Sequence, residues 1–439
     1  MNRFSGSDRW FILVLGLIYM FNFIDRTIIS VLGEAIRHDL GLSDLQLGLM
    51  GGLAFSFFYA AMSIPLARLA ERKSRVRIIS FVTALWSLMT MLSGAAGSFV
   101  QLLLARIGVG VGEAGFTPAL LSMISDRFEP ERRATVFSLI AVSVSIGGAV
   151  AALGGGLIAH QFGWRMTFVI VGAPGLLLAL LLLLTVPEPQ RPKTQATTPS
   201  FMAVLRRVSK SRSFVSLTVG SGMVALVGFG LSLFLIPLLV RRFGFDLREA
   251  GLMFALSFSM ATALGTLAGG YITDRLVTKN VAYYGLAPAI AMVIALPFYL
   301  IAIWQDDWRL MAGALFIATL CLYAFLPAIM TATQRLVEPQ MRATAAAIHA
   351  FGQTVFGLGL GSVLLGGISD KLAHDYYPGD YQTDCLGSGV ASAACTAASG
   401  SGLQQAMLLV GLALAAALSL YWIAARNIRR EICAIEEKL

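Results

Sequence analysis

The stretch Glu129-Pro130-Glu131-Arg132-Arg133-Ala134-Thr135 decides the fold, because the chain spells it twice. Glu338-Pro339-Gln340-Met341-Arg342-Ala343-Thr344 repeats the pattern E-P-x-x-R-A-T 209 residues further on. Outward from the first copy, apolar stretches lie near 10–32, 45–67, 77–98 and 100–124 on one side and 134–160 and 166–186 on the other. Around the second copy lie 214–240, 250–273, 281–303 and 309–334, then 343–369 and 402–425. Each is long enough to cross ~30 Å of hydrocarbon as a helix. Backbone amides in lipid need internal hydrogen bonds, so the helix is the conformation such stretches adopt. Both copies of the motif therefore follow the fourth span of a set of six. A second pair marks the same repeat: Leu69-Ala70-Glu71-Arg72 closes the second span and Ile272-Thr273-Asp274-Arg275 the eighth. The expected fold class is an all-α integral membrane protein, twelve transmembrane helices in two pseudo-symmetric six-helix bundles.

Composition agrees. Of 439 residues, 57% are hydrophobic and only 13% charged, with mean hydropathy +0.77, against about half and a quarter in a soluble domain. Twelve spans of ~22 residues use roughly 260 residues and leave room for short loops only. That argues against a soluble enzyme, a nucleic-acid binder, or a receptor with a large extramembrane domain. The net charge of +9 has a topological explanation instead. With the N-terminus inside, 24 of the 33 Lys and Arg fall in inner segments, 7 in outer ones, and Arg26 and Arg106 within helices. Such a bias places both termini in the cytoplasm of a bacterial-type inner membrane. The first apolar run is too long for a signal peptide and contains Asp25 and Arg26.

The domains read as an N-terminal bundle over 1–190, a cytoplasmic linker over 191–213 and a C-terminal bundle over 214–439. The linker starts Pro-rich. Its end carries Phe201, Val204, Leu205 and Val208 at helical spacing opposite Arg206, Arg207 and Lys210, as in a short helix lying on a membrane surface. Cys385 and Cys395 share the one long outer loop, where a disulfide is plausible if that face is periplasmic. No His/Cys cluster suggests a metal, and no nucleophile–base arrangement suggests catalysis, so neither an enzyme nor a cofactor is expected. The string Gly108-Val109-Gly110-Val111-Gly112-Glu113 lacks the preceding strand that a dinucleotide fingerprint requires.

Four formally charged residues fall well inside spans: Asp25, Arg26, Arg106 and Glu113. An ionised side chain in hydrocarbon costs several kcal/mol, so these must face partners or a water-filled cavity. Arg106, Gly110, Glu113 and Thr117 share one face of the fourth helix; Tyr19, Asn22 and Arg26 share one face of the first. Their formal sum is zero, which suggests two carboxylate–guanidinium pairs. Burial disfavours a carboxylate's charge while a nearby arginine favours it, so small rearrangements can move a proton on or off. A guanidinium released in this way can hold an anionic head group.

The six-plus-six layout resembles the major facilitator superfamily across essentially the whole chain. So do Gly163-Trp164-Arg165-Met166-Thr167-Phe168 and the acidic–basic pair after the second span. The family signature G-x-L-a-D-R-x-G-R stands here as Ala67-Arg68-Leu69-Ala70-Glu71-Arg72-Lys73-Ser74-Arg75, with both glycines replaced. In the second half Gly270-Tyr271-Ile272-Thr273-Asp274-Arg275 keeps its core. The resemblance implies an inner gate built from Glu71, Arg72, Arg75, Asp274 and Arg275; Arg75 and Arg77 serve equally well as topological anchors. The fifth helix lacks the Gly-Pro of the antiporter signature, with Ala151-Ala152 in its place.

Within that superfamily, Asn22-Phe23-Ile24-Asp25-Arg26 and Arg106-Ile107-Gly108-Val109-Gly110-Val111-Gly112-Glu113-Ala114 resemble the bacterial spinster family of lipid transporters. Anion–cation symporters carry similar strings, so an organic-anion or drug transporter is the alternative. The resemblance implies alternating-access movement of a lysolipid- or sphingolipid-like amphiphile coupled to protons through Asp25, Glu113 and Arg26. Head-group contacts would come from Arg106, Arg26, Asn22, Tyr19 and Thr117. In the second half Tyr323, His349 and Gln353 are candidates among more apolar walls, with ordinary packing the favoured reading for Tyr323 and His349. The expected partners are that substrate, protons and the bilayer, with a monomer the expected unit and no nucleic acid.

Overall fold

The computed structural model describes residues 5–190, 200–386 and 392–436. These residues are helical throughout, without a β-strand. Eleven helices are long and apolar enough to cross a membrane, and one of them, Thr135–Thr185, has twice the length needed. It breaks at Gly163, whose φ of 77° and ψ of 166° lie in a region open to glycine because it has no Cβ. The break makes twelve spans. They are α1 (Gly6–Leu40), α2 (Asp44–Ala70), α3 (Arg75–Gly94), α4 (Phe99–Arg127), α5 (130–162) and α6 (164–185). The second set is α7 (Arg212–Phe243), α8 (Leu247–Val277), α9 (Tyr283–Trp304), α10 (Trp308–Arg335), α11 (Thr344–Tyr376) and α12 (Ala393–Ile435).

Local chemistry sets the ends. A capping box of Ser5 and Asp8 opens α1, and Gly41 in the left-handed region closes it. The helix is thus longer than the apolar stretch 10–32, because buried Glu34 and half-buried Arg37 continue it as a charged pair rather than ending it. Ser43 with Gln46 opens α2, and Asp246 with Glu249 opens α8, each as a reciprocal box. Both helices then pass through a five-residue π stretch, Leu49–Leu53 and Ala255–Ser259. The fourth and tenth spans each break once, at Ala114-Gly115 and at Phe325, with Pro118 and Pro327 just beyond. The repeat found in sequence is therefore also a repeat of backbone irregularities.

By contacts the chain forms two compact units. The first comprises Met1–Thr194, Leu235–Ala255 and Asp380–Ala393; the second comprises Gln195–Phe234, Leu256–Gly379 and Ala394–Leu439. Glycines bring helix backbones together in corresponding pairs. In the first unit Gly147 and Gly155 meet α1, Gly110 meets α2, and Gly172 meets α3. In the second, Gly357 and Gly361 meet α7, Gly265 and Gly269 meet α10, and Gly285 meets α12. Such close approach is how helices associate where water cannot drive them together.

The start of the linker, 191–199, lies outside the described residues. Its end is the helix Phe201–Val208, which buries Val204 and Val208 and leaves Phe201 and Met202 exposed. Arg207 pairs with Glu338 at 3.4 Å, the glutamate of the second E-P-x-x-R-A-T copy. Cys385 and Cys395 are disulfide-bonded, and Cys321 and Cys433 are free.

Candidate functional site: a charged core in the first unit

The four intramembrane charges come together. Asp25, Arg106 and Glu113 are each 1–2% exposed, and Arg26 is half-buried. The Arg26 Nε donates to Glu113 Oε2 at 2.5 Å, joining α1 to α4. Where two carboxylate–guanidinium pairs were expected, only this one forms among the described residues. Arg106 Nη1 instead donates to the backbone carbonyl of Asp25 at 3.4 Å. Asp25 Oδ1, Glu113 Oε1, Arg106 Nε and Asn22 Nδ2 are buried without a hydrogen-bond partner. Their capacity is open to a ligand or water, since buried polar atoms are rarely left unpaired.

Aromatic rings complete the site. The Arg26 guanidinium lies 5.2 Å from the Phe55 ring centre and 4.7 Å from that of Tyr59, and Arg106 lies 5.6 Å from Phe55. Phe55 therefore holds both cations through its ring quadrupole. Gly110 allows this: a Cβ there would stand 2.8 Å from the Phe55 carbonyl oxygen. Tyr19 packs against Phe116 at 5.3 Å, and Thr117 lies half-buried one turn beyond Glu113. Sequence reading missed Phe55 and Tyr59; the available signal was two aromatics at i, i+4 on α2, one face of the helix.

The remaining candidates are placed as follows. Tyr323, His349 and Gln353 belong to the second unit. His349 is buried, its Nδ1 3.2 Å from the Thr218 hydroxyl, and Tyr323 stands edge-on to Phe258 at 5.8 Å. Arg72, Asp274 and Arg275 are exposed, with Arg275 over the Tyr271 ring at 4.2 Å. The Glu71 side chain lies outside what is described.

Arg75 is fully buried within the first unit. It bonds Asp126 and the Ser122 hydroxyl, and its Nε donates to Glu188 at 2.7 Å. Burial pushes the Glu188 carboxyl up, but hydrogen bonds from Ser74, the Val76 amide and Arg75 outweigh it and hold the group below its ordinary range.

A second charged network was not anticipated at all. At the end of the first unit away from the linker, Arg241 on α7 donates bidentately to Asp44 at 2.7 Å and 2.7 Å, and to Glu34 at 2.9 Å and 2.7 Å. Arg37 lies 3.5 Å from each of the same carboxylates and donates to the Tyr381 hydroxyl at 2.9 Å. Positive-inside counting had treated Arg37 and Arg241 as loop charges.

Residues 15–362 match the Major Facilitator Superfamily. The chain belongs to that superfamily. A major facilitator from Mycolicibacterium smegmatis, described as an MFS-type efflux pump, is 34% identical over 425 residues, 97% of this chain and 94% of its own length. The probable L-galactonate transporter of Escherichia coli is 27% identical over 284 residues, 62% of each chain. Among solved structures, a bacterial homologue of the human lysosomal transporter spinster superposes with TM-score 0.89 at 32% identity, covering 98% of this chain and 99% of its own. This major facilitator is thus a multi-pass membrane transporter of spinster-like type, and not of an enzymatic class.

Proposed function

We propose that the chain moves a lipid-like amphiphile, of lysolipid or sphingolipid type, by alternating access of its sequence halves 1–190 and 214–439, coupled to protons. The reading rests on one observation, the 2.5 Å Arg26–Glu113 ion pair, set among partnerless atoms of Asp25, Arg106 and Asn22. A proton arriving on Glu113 removes Arg26's counter-charge. The guanidinium, already oriented by Phe55 and Tyr59, then binds an anionic head group bidentately. Asp25 is the second proton acceptor, while Arg106, Asn22, Tyr19 and Thr117 complete the head-group contacts. Tyr323, His349 and Gln353 are assigned to the tail. The kinship with the spinster homologue supports the substrate class. The inner gate is assigned to Glu71, Arg72, Arg75, Asp274 and Arg275.

In proteoliposomes loaded with a pH dye, lysolipid should drive proton movement in wild type and not in Glu113→Gln, with Asp25→Asn reducing it. Equal flux in wild type and Glu113→Gln would falsify the coupling. The Lys and Arg distribution also supports the reading that both termini lie in the cytoplasm of a bacterial inner membrane. An impermeant maleimide should therefore reach the free, exposed Cys433 only after cells are opened.

An organic-anion transporter is the second reading, favoured by the kinship with a galactonate transporter and by two guanidiniums that suit a carboxylate equally well. Competition by sugar acids, with lipids inert, would select it.

A further inference from the structure

A trough of about 470 Å³ runs along the outside of the first unit between α3 and α6. It lies apart from the charged core. The two helices are antiparallel here, so Arg77 and Leu183 mark its linker end and Ala84 and Leu176 its inner end. Seven steps of 1.5 Å rise from Arg77 to Ala84 make it about 10 Å long. Its walls are hydrocarbon, with Phe81 67% exposed to the surroundings of the helix bundle.

Two lining groups are polar, and both sit toward the linker end. Arg77 is exposed and forms no ion pair among the described residues. Ser80, one turn further in on the same face, is only 7% exposed, yet its Oγ has no hydrogen-bond partner. A cation at the mouth and hydrocarbon beyond it follow the order of phosphate and acyl chain.

We propose that this trough binds one anionic phospholipid from the leaflet on the linker face, with the phosphate on Arg77 and an acyl chain along Phe81 and Ala84. The charge selects the occupant: a single cation facing the interface attracts anionic head groups, which basic pockets between membrane helices bind. The site is a structural lipid site and does not depend on the transport reading.

Native mass spectrometry of the purified full chain tests it, with dioleoyl phosphatidylglycerol and dioleoyl phosphatidylcholine as probes. Wild type should retain phosphatidylglycerol in preference. Arg77→Gln, at an exposed position, should lower that retention about fivefold and remove the preference over phosphatidylcholine. Glu113→Gln should leave the retention of both lipids unchanged, separating this site from the transport core. Equal retention of the two lipids by wild type, or an undiminished preference in Arg77→Gln, overturns the proposal. Displacement of phosphatidylglycerol by one equivalent of lysophosphatidylcholine also overturns it, since the trough would then be a path for substrate.

Discussion

Phe55 carries more of the charged core than its residue type suggests. Its ring serves Arg26 at 5.2 Å and Arg106 at 5.6 Å, and it is 1% exposed. Desolvated cation–π contacts are worth up to ~2 kcal/mol, while a Phe-to-Leu change keeps most of the apolar volume and costs under ~1.5 kcal/mol by packing alone. Phe55→Leu should therefore destabilise the protein by roughly 2–3 kcal/mol when both contributions are counted. Phe57→Leu, at a ring 60% exposed, should be near neutral. Thermal midpoints in detergent compare the two, and similar values would remove the ring from the site's energetics. At this scale the candidate site was half legible. Asp25, Arg26, Arg106 and Glu113 stand out because charge is scarce in apolar spans and cannot be left there unattended. Which charge meets which was not legible. The Arg106 guanidinium reaches a backbone carbonyl, and every residue offers one of those, so no pattern of residue types marks it.

Elements are held at their ends by polar clasps. The segment after α6 returns Glu188 to the start of α3, where it accepts from the Ser74 hydroxyl, from the Val76 amide at 3.0 Å and from Arg75 at 2.7 Å. Arg75 in turn bonds Asp126 on α4, so α3, α4 and the segment after α6 meet at one guanidinium. Because the folded protein holds the Glu188 carboxyl below its ordinary value, the clasp's contribution is present above the unfolded pKa and is lost as pH falls through the folded one. The window thus lies at and below about pH 4, the ordinary glutamate range. Glu188→Gln should lower the thermal midpoint at pH 7, and the gap to wild type should close as the pH is taken below about 4. A gap unchanged with pH would mean that the carboxylate's charge contributes nothing. Helix existence was readable from hydropathy because lipid enforces it. The ends were less so: α1 extends past its apolar stretch on paired charges, and the α5–α6 boundary rests on one glycine's backbone rather than on any polar loop.

For the molecule as a whole, the duplicated motif correctly implied two sets of six spans, and the duplicated breaks, caps and glycine approaches show how deep the repeat runs. The division into compact units follows the sequence halves only in part, because Leu235–Ala255 joins the first unit. Two features account for that. Gly251 on α8 approaches the α5 backbone at Ala152, and Arg241 on α7 is enclosed by Glu34 and Asp44. Neither follows from periodicity, which reports a helix's own faces and not a partner some 200 residues away. Arg241, Glu34 and Asp44 are all under 9% exposed, so removing the guanidinium takes four charge-assisted hydrogen bonds from two buried carboxylates. Breaking a buried ion network from one side costs about 3–5 kcal/mol. The prediction concerns assembly. If the chain is cut within 191–199 and the two pieces are co-expressed, with a tag on the second only, the first should co-purify. Arg241→Ala in the second piece should cut that recovery severely, and Arg248→Ala, at an exposed position, should not. Full recovery with Arg241→Ala would mean that apolar packing alone joins the halves, and that the network's charges serve some purpose other than holding α7 against α1 and α2.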